Sequence, residues 1–262
     1  MSIPSHTGIA ARTQPEYPIG TSPKRLARIA GLLYLAVGVL GAFAFAAVYS
    51  RMYVAGDAAA TAGNLIANAG LVRLGVAADL IQVVVWLFLS MTLYALLGHA
   101  SAFAARAMVI LVAIGAALSF VNILFEFVGL RLATGQVDLG AAGGVGSGSL
   151  SLLMLELQHY GYAIAGILFG LWLMPLGYLG VKSAMFPKAL GVALVVGGGG
   201  YLADTLAAIV APELTAAIHP LAALLGIIAE VSMLAFLLVK GVRSPRTEDR
   251  SAAAAAPVAA SA

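Results

Sequence analysis

Cysteine is absent from the 262-residue chain, which excludes disulfides, thiolate nucleophiles and cysteine-ligated metals. Charge is almost as scarce. Asp, Glu, Lys and Arg together make up 10% of the residues, where a soluble domain carries about a quarter. So few charges cannot coat a 26.6 kDa globule, and a soluble enzyme is excluded. What fills the space is apolar: 62% of the residues are hydrophobic and the mean hydropathy is +1.02. That excess rules out a disordered chain and has to face lipid. The pI near 9.3 does not point to nucleic acid, because the basic residues sort by membrane side instead of forming a binding face.

Six apolar runs are each long enough for the roughly 20 helical residues that a bilayer core requires. They cover 29–49, 71–97, 104–131, 150–181, 189–210 and 219–240. The expected fold is all-α, a bundle of six transmembrane helices within residues 24–243. Residues 1–23, rich in Ser, Thr and Pro, and residues 244–262, ending in SAAAAAPVAASA, are expected to be disordered tails. The first run contains small-x-small sites around Phe43 and Phe45, but exceeds the about 7–15 apolar residues of a cleaved signal, so a retained anchor is expected. Pro175 predicts a kink or an early end near Leu173. Residues 50–70 are expected to form a long polar link, 98–103 a tight turn, 132–149 a glycine-rich loop and 182–188 a short one.

Lys and Arg set the orientation. Arg12, Lys24, Arg25, Arg28, Arg106, Lys182, Lys188, Lys240, Arg243, Arg246 and Arg250 fall on one side, against Arg51, Arg73 and Arg131 on the other. This bias places both termini in the cytoplasm.

Five carboxylates fall inside the spans: Asp79, Glu126, Glu156, Asp204 and Glu230. The first four are expected within about two turns of the outer surface and Glu230 near mid-span. Each extends a polar stripe. Asp79, Gln82, Trp86 and Ser90 share a helix face, as do Ser119, Asn122 and Glu126. Glu156 and His159 lie three apart, Tyr201, Asp204 and Thr205 group together, and His219 and Glu230 are three turns apart on one face. Stripes packed inward would build one polar centre open to the outside. An ionised acid at bilayer depth costs about 2.5–3.5 kcal/mol. Three outer arginines cannot neutralise five such acids and three more in outer loops (Asp57, Asp138 and Glu213), so some acids must hold protons, face water or bind a cation.

Alternatives stand beside that reading. Protonated acids can also act as helix-to-helix glue. Glu156-x-x-His159 resembles half of a di-iron ligand pattern that needs two such pairs, and the chain has one. Arg73 and Arg131 are expected to pair with acids or reach toward head groups. His219 beside Pro220 reads as a helix start. Gly197 to Gly200 indicate either close helix packing or a broken helix lining a site. The glycines at 140–148 follow no strand and lack the Lys-Ser/Thr ending of a phosphate loop. No serine-hydrolase motif and no three-histidine zinc set is present.

Several stretches together resemble a known family: Gly56-Asp57-Ala58-Ala59-Ala60-Thr61, Asn64, Leu71-Val72-Arg73-Leu74-Gly75 and Asp79, then Leu93-Tyr94-Ala95-Leu96-Leu97 and Phe169-Gly170. Gly177-Tyr178-Leu179, Lys182-Ser183, Pro187, Leu190-Gly191, Gly200-Tyr201-Leu202-Ala203-Asp204, Glu230 and Val239-Lys240-Gly241-Val242 continue the match. On these the chain resembles domain-of-unknown-function family number 4386, prokaryotic polytopic membrane proteins, over about residues 24–243. The resemblance implies a six-helix prokaryotic membrane protein with no assigned activity and brings no catalytic residues; the expected location is the inner membrane. It covers the first span, which agrees with a retained anchor.

The leading functional expectation is a multi-pass cell-membrane protein that binds or transports a proton, cation or small ligand. Asp79, Glu126, Glu156, Asp204 and Glu230 would supply charge, with Gln82, Asn122, His159 and Tyr201 orienting, and Arg73 and Arg131 in support. The alternatives are a metal-dependent membrane enzyme using Glu156 and His159, and a non-catalytic scaffold or sensor. The lipid bilayer is the expected partner, and no cofactor is indicated.

Overall fold

The computed structural model describes residues 22–137 and 146–242. Most of both expected tails and the middle of the glycine-rich loop, including Asp138, lie outside the described residues, as do Arg12, Glu16, Arg243, Arg246, Glu248, Asp249 and Arg250.

The described residues are helical throughout, without a strand. Helix α1 (Pro23–Ala42) starts where Ser22 Oγ accepts the Arg25 N–H at 3.3 Å and Pro23 occupies the first turn. It runs on through a π-helical stretch, Phe43–Tyr49, and a last α turn, Ser50–Met52. A short helix α2 (Ala58–Ala67), capped by Asp57 on the Ala60 N–H at 2.9 Å, precedes α3 (Ala69–Leu97). Then come α4 (Ala102–Ala133), α5 (Ser147–Lys182), α6 (Lys188–Val210) and α7 (Pro212–Ala235), the last continuing as a π-helical Phe236–Lys240. Six helices are long and apolar enough to cross a membrane: α1 through Met52, and α3 to α7. Large side chains left exposed along them, such as Phe88, Ile110, Leu124, Val192 and Ile227, suit contact with lipid.

Each span packs against the next in sequence, and the last returns to the first, where Gly31 faces Leu237 and Leu238. Both ends of the described chain thus meet at one end of the bundle, here the terminal end. The opposite one is the far end.

The apolar core is divided by depth. A large cluster fills the terminal half, drawing Ala30 from α1, Leu93 from α3, Met108 from α4, Leu173 from α5, Leu194 from α6 and Met233 from α7. Its upper boundary is aromatic. Trp172 meets Trp86 and Tyr34 edge-on, with ring centroids 5.8 and 5.9 Å apart. A smaller cluster of Val48, Met52, Leu65, Val72, Leu130 and Leu155 closes the far end. Polar side chains of the spans occupy the layer between.

Three sequence expectations need correction here, and one open alternative closes. The link at 50–70 contains α2, whose Leu65 and Thr61 are fully buried. Helix α5 passes through Pro175 and ends at Lys182, not near Leu173. Helix α7 begins at Pro212, so His219 and Pro220 lie inside it and His219 is no helix start. Helix α6 is unbroken across Gly197 to Gly200. A Cβ on Gly198 would come within 2.6 Å of the Gly170 carbonyl of α5, and one on Gly197 within 2.9 Å of Ala229 on α7. These glycines let backbones approach, and the broken-helix reading falls.

Candidate functional site

The densest polar group lies between α3, α4 and α5. Antiparallel register builds it. Trp86 on α3 sits against Gly115 on α4, so seven residues on from each, Asp79 stands level with Asn122. Glu126 is one turn further along α4. On α5, Gly161 receives the Asn122 amide, where any Cβ would collide with Oδ1. One turn away, Gln158 Nε2 donates to Glu126 Oε2 at 2.7 Å. The Asp79 carboxylate lies within electrostatic reach of Glu126, and Tyr162 on α5 within reach of both. Counting 1.5 Å per residue, Asp79 is about 15 Å and Glu126 about 10 Å along their helices from the far ends at Ala69 and Ala133.

This pocket is poorly satisfied by the protein. Asp79 and Glu126 are 7% and 4% exposed, and among the described residues neither has a basic partner. No hydrogen bond within the described residues reaches the Asp79 carboxylate. Asn122 Oδ1 and Nδ2 and Gln158 Oε1 are buried without partners among the described residues as well. Each orphaned buried group costs about 1–3 kcal/mol.

The other acids go elsewhere. Glu156 Oε1 accepts from Tyr53 at 2.8 Å, and His159 Nδ1 lies 3.1 Å from the Tyr49 hydroxyl. The rings of Tyr49, Tyr53 and His159 stack, with centroids 5.3–6.4 Å apart. This aromatic group borders the pocket, since Tyr49 is in electrostatic reach of both Glu156 and Glu126. Tyr53 lies just past the first span. Burial, then its hydrogen bond to Glu156, pushes its hydroxyl up to about 12. Asp204 Oδ2 pairs with His219 Nδ1 at 2.8 Å across the α6–α7 seam, leaving Oδ1 buried and unpartnered. Glu230 accepts from Tyr201 at 2.8 Å and from Tyr34 at 3.3 Å, about three quarters of the way along α7.

The sequence matches the family described as Domain of unknown function (DUF4386) over residues 29–241, a stretch that reaches into all six spans. The chain belongs to that family. No curated protein and no solved structure matches it.

In this DUF4386 bundle the five intramembrane acids do not meet in one centre. Asp79, Asn122 and Glu126 come together, and Glu156 with His159 adjoins them through Tyr49. No hydrogen bond or ion pair joins Asp204 or Glu230 to that group among the described residues. His219 and Glu230 share a helix but not a partner. Tyr201 serves Glu230, while Thr205 turns to the Ala163 carbonyl at 3.0 Å. Gln82 lies against Gly41 of α1. The arginines take no acid among the described residues. Arg73 is exposed, and Arg131 reaches the Gln136 carbonyl at 3.2 Å and the face of Phe127. No three His, Asp or Glu side chains among the described residues converge to hold a metal ion. Sequence reasoning missed Gln158, Tyr34, Tyr49, Tyr53 and Tyr162. Gln158 sits between Glu156 and His159, and its i+4 neighbour Tyr162 extends a second polar face of α5.

Proposed function

We propose that this protein resides in a prokaryotic inner membrane with both termini cytoplasmic, and that its far-end pocket binds a proton or small cation through Asp79 and Glu126. One observation carries the reading: two carboxylates share a buried pocket with no basic side chain among the described residues. Left ionised and alone, each would cost about 2.5–3.5 kcal/mol at this depth, so a proton or cation has to balance them. The apolar layers on either side hold the pocket apart from both surfaces, which strengthens any charge interaction inside it. A metal-dependent enzyme built on Glu156 and His159 finds less support, because tyrosine hydroxyls already engage both side chains.

The test is thermal unfolding of the detergent-purified protein from acid to mildly alkaline pH, with a panel of mono- and divalent cations. A ligand at a hundred times its dissociation constant adds about 2.7 kcal/mol to the folded state. A stabilisation that is lost in Asp79→Asn and Glu126→Gln, both still folded, supports the site. A response unchanged in both variants refutes it. If neither variant folds, the acids are structural, as a scaffold requires.

A further inference from the structure

The pocket holds more oxygen than a proton needs. A proton on Asp79 or Glu126 supplies one donor, which can serve one of two buried amide oxygens, Gln158 Oε1 and Asn122 Oδ1, and leaves the other without a partner among the described residues. These side chains are 2% and 1% exposed, so bulk water does not serve them. Gln158 is held in place by its bond to Glu126, and Asn122 stands level with Asp79 and one turn from Glu126. Four oxygen-bearing side chains from three helices therefore lie in one buried layer. The histidine nearest in sequence, His159, is engaged by Tyr49, so the donors are hard oxygens alone.

Resting on the proton-or-cation reading, we infer that this pocket is a sodium site, ligated by Asp79, Glu126 and the amide oxygens of Asn122 and Gln158. Charge and ligand number select the ion. One ionised carboxylate beside one protonated carboxyl balances a single positive charge. Calcium takes six to eight oxygens, and magnesium keeps several waters that a pocket between two apolar layers does not supply. Carboxylate oxygens exert a stronger field than the carbonyl rings that suit potassium, and so favour the smaller alkali ion. Other titratable groups facing the pocket are Tyr49 from the first span and Tyr162 from α5, with Glu156 held by Tyr53 beyond Tyr49. At neutral pH the two tyrosines stay neutral and do not compete.

Two measurements on the purified full-length protein test this. The first is equilibrium binding of radioactive sodium. The second is the melting temperature in sodium, potassium or choline chloride at equal ionic strength, repeated across pH. The expected result is one saturable sodium per chain and a melting temperature highest in sodium. Asn122→Ala and Gln158→Leu should weaken sodium binding about tenfold or more while the pH response remains. No sodium bound by the wild type, with a pH response that Glu126→Gln removes, overturns the sodium site and leaves the proton reading standing. No sodium and no such pH response overturns both. Sodium binding that is unchanged in the folded amide variants, or calcium bound in its place, overturns the assignment. Should an amide variant not fold, wild-type binding and its loss in Glu126→Gln decide.

Discussion

Helix α6 offers a sharp test of the glycine argument, because adjacent residues predict opposite outcomes. A Cβ on Gly198 would lie 2.6 Å from the Gly170 carbonyl oxygen, with Met174 and Leu173 behind it at 3.3 and 3.4 Å. The first obstacle is backbone and cannot rotate away. Close carbon–oxygen contacts settle at about 3.3–3.6 Å, so α5 and α6 would have to part by most of an ångström. Overpacking of this kind costs about 1–3 kcal/mol. Gly199, one residue on, has nothing within 4 Å of its would-be Cβ, and alanine there gains up to about 1 kcal/mol of helix propensity. Gly198→Ala should therefore lower the melting temperature by several degrees, and Gly199→Ala should leave it level or raise it. Unfolding can be followed by the fluorescence of Trp86 and Trp172, both in the buried core. A hinge would behave differently, since either alanine removes backbone freedom. Equal damage from both substitutions, or none from Gly198→Ala, would refute the packing account.

Other outcomes follow from single contacts. Tyr201→Phe removes the 2.8 Å hydrogen bond to Glu230 and should cost about 1–3 kcal/mol in thermal unfolding, more than Tyr34→Phe with its 3.3 Å bond. Asp204→Asn should leave the cation response of the Asp79–Glu126 pocket intact, because its partner is His219 on another seam; loss of that response would show the acids to be one coupled centre. The Tyr53 hydroxyl is raised from near 10 to about 12. Folding therefore favours its protonated form, and the stability this gives is complete below pH 10 and lost as pH climbs toward 12. Ultraviolet titration of the wild type against Tyr53→Phe should place its transition there, and Glu156→Gln should move that transition downward.

The spans were legible because twenty apolar residues in a row need no knowledge of neighbours. Their ends were not, because caps decide them. Pro212 carries a helix-start signal, an N-terminal proline followed by Glu213, yet Pro220 drew attention as the boundary. Helix α2 was hidden by its shortness, because ten apolar residues fall below the length of a span, although Asp57 before an alanine run is a helix start. The stripes of Asp79 and of Asn122 with Glu126 were readable from spacing. Their convergence with Gln158 was not, since spacing gives a face but neither the order of helices nor their register. Glu156 and Gln158 illustrate this. Two residues apart on a helix, they point to different neighbours, one to Tyr53 after α1 and the other to Glu126 on α4.

The structure also sorts the acids by how fully they are capped. Glu230 receives two tyrosine hydroxyls from two other helices, the geometry of a carboxylate that joins α1, α6 and α7. Glu156 receives one, and Asp204 shares one oxygen with His219. Asp79 receives none, and its neighbours Asn122 and Gln158 hold unspent polar atoms. A fold that needed these side chains only for cohesion would satisfy them, as it satisfies Glu230, since a half-satisfied buried network is worse than an apolar core. Cohesion thus accounts for Glu230, and no comparable cap reaches Asp79 among the described residues. The shortfall is concentrated where α3, α4 and α5 meet, and that is where a ligand would repay it.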